Sequence, residues 1–203
     1  MRGILVKWII QVGEKFKVKP ETIHICVQLI DFALIVKGNS INKTNYQLLG
    51  VSALFVASKY NEIHTQDAER YVQVCDGQYS LEQMFNMESL ILMATEFNLQ
   101  FPTVIEFADV CAKENELSDG CMTLVKNLSN LCVFDFDLFN KYKKNDLASV
   151  VVYLASKIGG AENIRSKDLI ERYGIESETF RECLYSLINI YKQTNNIVKD
   201  IQV

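Results

Sequence analysis

The sequence predicts an all-α chain built as two successive five-helix sets. Glycine and proline are scarce, 9 and 2 in 203 residues, which disfavours a turn-rich β fold. Apolar residues recur at helical spacing in ten segments, five on either side of a break near residue 98. The run FVASKY at 55–60 returns as YLASKI at 153–158, so Ala57-Ser58-Lys59 is echoed by Ala155-Ser156-Lys157 98 residues further on. The echo, with the matched order and length of the helices around it, reads as an ancestral duplication. A chain of this length buries roughly 70% of its unfolded surface and needs neither disulfides nor a metal to hold a core.

The first segment, 2–16, carries Ile4, Leu5, Trp8, Ile9, Val12 and Phe16 at helical spacing. Pro20 opens the second, 20–37, as a first-turn proline. Ile23, Val27, Ile30 and Leu34 share one face, and Gly38-Asn39-Ser40 ends the helix. The third, 43–60, is apolar on nearly every side through 51–57, the pattern of a helix surrounded by others. The fourth, 65–75, stops at Asp76-Gly77. The fifth starts at Ser80, with Gln83 completing a capping box, and runs to about Glu96. Pro102 keeps the residue before it out of a helix, which puts a linker at 98–102 and domains at 1–98 and 99–203. Thr103 and Glu106 form a second capping box. Helices follow at 103–115, 118–134, 144–158, 166–173 and 177–195, with Gly159-Gly160 and Gly174 between them.

Composition narrows the function. The chain is 49% hydrophobic and 23% charged, as globular domains are. Its net charge of −4 and lack of a basic stripe argue against a nucleic-acid partner. Cysteines at 26, 75, 111, 121, 132 and 183 form no C-x-x-C pair. They read as reduced core thiols of an intracellular protein, in the nucleus, the cytoplasm or both. His24 and His64 stand 40 residues apart with no ligand spacing, so neither a metal nor a cofactor is expected. No apolar run reaches the ~18–20 residues of a membrane span, and no signal peptide is visible. The helical pattern begins at Met1 itself, and we expect sequence before it to have been removed or never present. No phosphate loop or nucleophile motif appears. The chain reads as an interaction module rather than an enzyme. Two Arg-x-x-Leu matches, Arg2–Leu5 and Arg181–Leu184, fall on helices with the leucine packed, and we reject both as degradation signals.

The opening MRGILVKWIIQVGEKF resembles the first cyclin-box helix of the mitotic, A- and B-type cyclins. The family pattern is met at Met1, Arg2, Ile4, Leu5, Trp8, Val12, Gly13 and Glu14. The resemblance continues through ETIHICVQLID, YQLLGVSALFVASKYNEI and NMESLILMATEFNL, and PTVIEF at 102–107 resembles the start of the second repeat. It implies two tandem five-helix cyclin-box folds. It also implies a regulatory subunit that binds and activates a cyclin-dependent kinase, helps recruit its substrates in cell-cycle control, and leaves catalysis to the kinase. Such a subunit pushes the kinase C-helix inward, which assembles the catalytic Lys–Glu pair and orders the activation loop.

Carried over by position, Lys59 and Glu88 match the charge pair of the kinase interface. Val56, Tyr60, Leu92, Phe97 and Leu99 match its apolar contacts. The residues themselves support part of this: Val56, Lys59 and Tyr60 share one helical face, as do Glu88 and Leu92. Taken alone, the pair would be a surface salt bridge worth ~0–1 kcal/mol. The resemblance further implies a substrate-docking patch at Met1, Ile4, Leu5, Trp8 and Gln47, which in the family receives an Arg-x-Leu segment of substrates and inhibitors. Read from the residues alone, Leu5 and Trp8 could equally be core, and Ile4 could face either way. Three positions depart from the family. Gln11 replaces an acid that would pair with the ligand arginine, Lys43 stands in place of arginine, and Lys7 replaces another acid. Glu14, one turn from Gln11, could substitute. Docking is therefore expected to be weaker or altered.

Two competing readings are a transcription-linked cyclin-like protein and a cyclin-fold adaptor without kinase activation. The acidic balance and missing C-x-x-C speak against the first; Lys59 and Glu88 speak against the second. Lys157 has Glu182 as its counterpart acid 25 residues on, in a register different from Lys59 and Glu88. No family site maps to it, so Lys157 is expected to be an echo of the fold.

Overall fold

The computed structural model describes residues 1–161 and 164–200, with side chains through 194. The chain divides into two compact units, Met1–Phe101 and Pro102–Val203. The described residues are mostly helical, with no strand among them.

The first unit contains α1 (Arg2–Phe16), α2 (Pro20–Lys37), α3 (Tyr46–Asn61), α4 (Ala68–Gln73) and α5 (Leu81–Ala94), with one 3-10 turn at Gly38–Ser40. Every residue from Leu48 to Ser58 is buried, so α3 is the axis of the unit, as its all-round apolar pattern requires. Close approach to α3 depends on Gly50, where an added Cβ would stand 2.7 Å from Leu5 Cδ1. Tyr71 of α4 is fully buried between Phe16 and Phe55, with ring centres 4.9 and 5.1 Å away. Both rings meet it edge-on, the favoured aromatic geometry. Ser80 and Gln83 cap α5 reciprocally.

The second unit contains α6 (Val104–Glu114), α7 (Asp119–Cys132), α8 (Phe136–Lys141), α9 (Lys144–Ile158), α10 (Ser166–Tyr173) and α11 (Ser177–Asp200). Here α9 is the axis, buried along most of its length and packed by α6, α7 and α11. Thr103 and Glu106 form the reciprocal cap of α6. The sequence predicts five helices in this half, and the described residues form six. The extra one, α8, is a single turn and a half, too short for apolar periodicity to register. Asp135 caps it by accepting a hydrogen bond from Leu138 N at 2.7 Å, and Leu138 and Phe139 anchor it in the core.

Helix ends also differ from expectation. α3 starts at Tyr46 rather than 43, because the Asn42 side chain takes the local backbone bonds. Its Oδ1 accepts from Thr44 N and Asn45 N at 2.9 and 3.3 Å, an Asx turn that competes with helix. α4 spans 68–73 rather than 65–75.

Candidate protein-interaction surfaces

The last turn of α3 and the second turn of α5 bring Lys59 and Glu88 together. The Lys59 ammonium bonds Glu88 Oε1 and lies over the Phe55 ring, 4.2 Å from its centre. Their side chains are 41% and 13% exposed, so the pair sits at the edge of the core. Val56 is buried beneath this turn, Tyr60 is exposed beside it, and Leu92 is half-buried one turn after Glu88. Leu99 packs half-buried against the core.

Phe97 is held out to solvent, 70% exposed, by an unusual backbone. Glu96 and Phe97 have φ of 51° and 59°, the left-handed region that costs ~1–2 kcal/mol for a residue with a Cβ. The turn is fixed by Phe97 N donating to Leu92 O at 2.8 Å and Glu96 N to Met93 O at 3.3 Å. Sequence reasoning missed Ile63, Phe85 and Met93, which are 84%, 45% and 66% exposed. The four- and eight-residue spacing of Phe85, Ser89 and Met93 along α5 was the available signal.

A second surface is a groove of about 340 Å³ lined by Met1, Ile4, Leu5, Trp8, Lys43, Tyr46 and Gln47. Ile4 is 77% exposed, whereas Leu5 is buried and forms the floor. Arg2 clamps this end of α1: its Nε and Nη2 donate to the two carboxylate oxygens of buried Asp31 at 2.7 and 2.8 Å. Two parallel charge-assisted bonds fix geometry as well as contribute energy. On the facing side, Tyr79 Oη donates to Thr44 O at 2.8 Å and steadies the loop that carries Lys43. Gln11 does not line this groove. It borders an adjoining hollow of about 240 Å³ that shares Trp8, together with Lys15 and Asp76. Asp76 is thus an acid lining the same hollow as Gln11.

Among the described residues, no group of three His, Cys, Asp or Glu side chains could hold a metal. His24 is fully buried in α2 and His64 is exposed in the turn after α3. In the first Arg-x-x-Leu match, Arg2 is paired and Leu5 buried; in the second, Arg181 is exposed and Leu184 half-buried. No helix among the described residues is long and apolar enough to cross a membrane.

Residues 1–100 match the family model of the cyclin N-terminal domain, and residues 102–202 match that of the cyclin C-terminal domain. The chain is 32% identical over 196 residues to the G2/mitotic-specific cyclin-A of Patella vulgata, covering 97% of this chain and 45% of that protein. It is 31% identical over 203 residues to the human G2/mitotic-specific cyclin-B2, covering 100% and 50%. The chain thus spans about half the length of the curated relatives it matches. Among solved structures, a viral cyclin from herpesvirus saimiri superposes with TM-score 0.79 at 12% identity, over 93% of this chain and 83% of that one. A chain of the yeast RNA Pol II CTD kinase CTDK-1 complex gives 0.78 at 13% identity, over 94% and 64%. These two likenesses are likenesses of fold.

Proposed function

Because the chain belongs to the cyclin family, we propose that it is a regulatory subunit that binds and activates a cyclin-dependent protein kinase in cell-cycle control. It would act in the nucleus, the cytoplasm or both. The observation that carries this reading is the Lys59–Glu88 pair, set at the core edge in the same unit as the strained, exposed Phe97. A kinase helix laid over the pair would dry it, and drying turns a weak surface interaction into a specific one. Val56 supports the contact turn from beneath; Tyr60, Leu92, Phe97 and Leu99 supply apolar area. The chain itself performs no phosphoryl transfer. It supplies binding energy that shifts the kinase toward its active arrangement. Phosphorylation of a peptide by a purified cyclin-dependent kinase, with and without the chain, tests the proposal. We expect turnover to rise from background when the chain is added; binding without activation would favour the adaptor reading.

The groove at Met1, Ile4, Leu5, Trp8, Lys43 and Gln47 is proposed to dock substrates and inhibitors. One leucine seated there gains about 1.5–3 kcal/mol from burial. With Gln11 uncharged, an Arg-x-Leu segment lacks one counter-charge. Gln11→Glu is expected to tighten such a peptide by ~0.2–1 kcal/mol; an unchanged peptide affinity by calorimetry would reject that role for position 11.

A further inference from the structure

The second unit has a groove of about 450 Å³ between α10 and α11, floored by Tyr153 of α9. Ile170, Phe180 and Leu184 give it an apolar base, and Lys167 and Arg181 stand on its walls. Lys157 does not line the groove, but its Nζ lies 5.5 Å from the centre of the Tyr153 ring that floors it. Against these stands one lining carboxylate, Glu171, 3.6 Å from Lys167. Arg181 and Lys157 have no ion-pair partner among the described residues. This local positive excess lies on a chain whose net charge is −4.

The first unit explains why the excess is there. Lys59 and Lys157 each close an Ala-Ser-Lys run and each lie over the aromatic ring one turn back. Glu88 is the eighth residue of α5 and neutralises Lys59; the eighth residue of α11 is Leu184. The second unit keeps the lysine, replaces the acid with a leucine, and adds Arg181 beside it. An apolar base with cations in excess of carboxylates beside it is complementary to an apolar side chain flanked by carboxylates.

We propose that the α10–α11 groove docks an acidic segment of a partner protein, one apolar side chain seated on Ile170, Phe180 and Leu184 and flanking carboxylates paired with Arg181, Lys167 and Lys157. This site is independent of the kinase reading, which concerns the other unit.

The test uses the whole chain with isotopically labelled isoleucine methyl groups and the acetylated hexapeptide Asp-Glu-Leu-Asp-Phe-Glu. The Ile170 methyl resonance is expected to shift saturably with peptide, and the affinity to fall as salt rises. Lys157→Gln with Arg181→Gln should weaken binding about tenfold or more, while Lys59→Ala leaves it unchanged. Both substituted side chains are exposed, so the fold persists and circular dichroism verifies it. No saturable shift at millimolar peptide overturns the proposal. So does equal binding of a peptide with lysine in place of the acids, which would mark a simple apolar trap. Tighter binding of a short oligothymidylate at the same methyl also overturns it, in favour of nucleic acid. Kinase activation by the double variant should match the unsubstituted chain, which separates failure here from failure of the kinase assignment.

Discussion

Lys59 and Lys157 occupy matching places in two units that pack alike and handle charge differently. In each unit the central helix ends in alanine and serine that are fully buried, where any larger side chain would push a neighbouring helix away. In each, the lysine stem folds over an aromatic ring. The first unit then closes its charges: Lys59 on Glu88 and Arg2 on Asp31. At the end of its central helix the second does not, and ion pairs of its described residues lie elsewhere, such as Lys113 with Asp109 and Lys167 with Glu171. Lys157 has no ion-pair partner among the described residues, and Glu182, the counterpart suggested by sequence, instead accepts from Lys141 at 3.0 Å and Tyr142 Oη at 3.3 Å. Asp146 is buried with no ion-pair partner among the described residues. Packing constrains the small buried residues at the end of each central helix, while the charges at its edge are free to take separate roles.

Four measurements can break or sharpen that contrast. Asp31→Ala removes the bidentate partner of a mostly buried arginine and is expected to cost about 3–5 kcal/mol in urea unfolding; a loss under about 1 kcal/mol would mean the first unit does not depend on this closed pair. Lys59→Ala or Glu88→Ala should weaken kinase binding by roughly 2–5 kcal/mol, and Lys157→Ala by less than about 0.5 kcal/mol. Equal losses, read by surface plasmon resonance, would erase the functional difference between the two lysines. Ser80→Ala and Thr103→Ala each remove a capping box and should cost about 1 kcal/mol in thermal unfolding, a matched pair because the scaffold is shared. The smallest effect concerns Asp146. Burial raises its carboxyl pKa, only partly opposed by Lys143. The folded state therefore holds that proton more tightly than the unfolded chain, and stability falls as pH rises through the ordinary carboxylate range. Asp146→Asn should raise the melting temperature slightly at pH 7, with the gain vanishing below about pH 4. A stabilised wild type at pH 7 would show that Asp146 serves its own helix end.

Much of the scaffold was legible because it rests on local rules. Pro20, Ser80 with Gln83, and Thr103 with Glu106 stand at helix starts as their side-chain chemistry requires. The all-round apolar stretch of α3 announced a central helix. What escaped were features without local periodicity or with distant partners. α8 is too short to show a period, though Asp135 three residues before Leu138 was a readable cap. The clamp of Arg2 on Asp31 spans 29 residues and leaves no spacing rule. At the Lys59 surface the sequence resemblance proposed the pair, but the exposure of Phe97 depends on two left-handed residues, Glu96 and Phe97, that carry no glycine to signal them. Beside the α1 groove, Asp76 from the turn after α4 lines the same hollow as Gln11, which helical spacing along α1 could not foresee.

All six cysteines are free and buried. Burial pushes the Cys75 and Cys132 thiols up to about 11 and about 12, so at neutral pH they are protonated and slow to attack an alkylating reagent. Each thiol becomes reactive only when its surroundings open. Cys26 and Cys75 lie in the first unit and the other four in the second. Alkylation rates followed residue by residue by mass spectrometry would therefore act as two built-in clocks, timing the opening of each unit without any added probe.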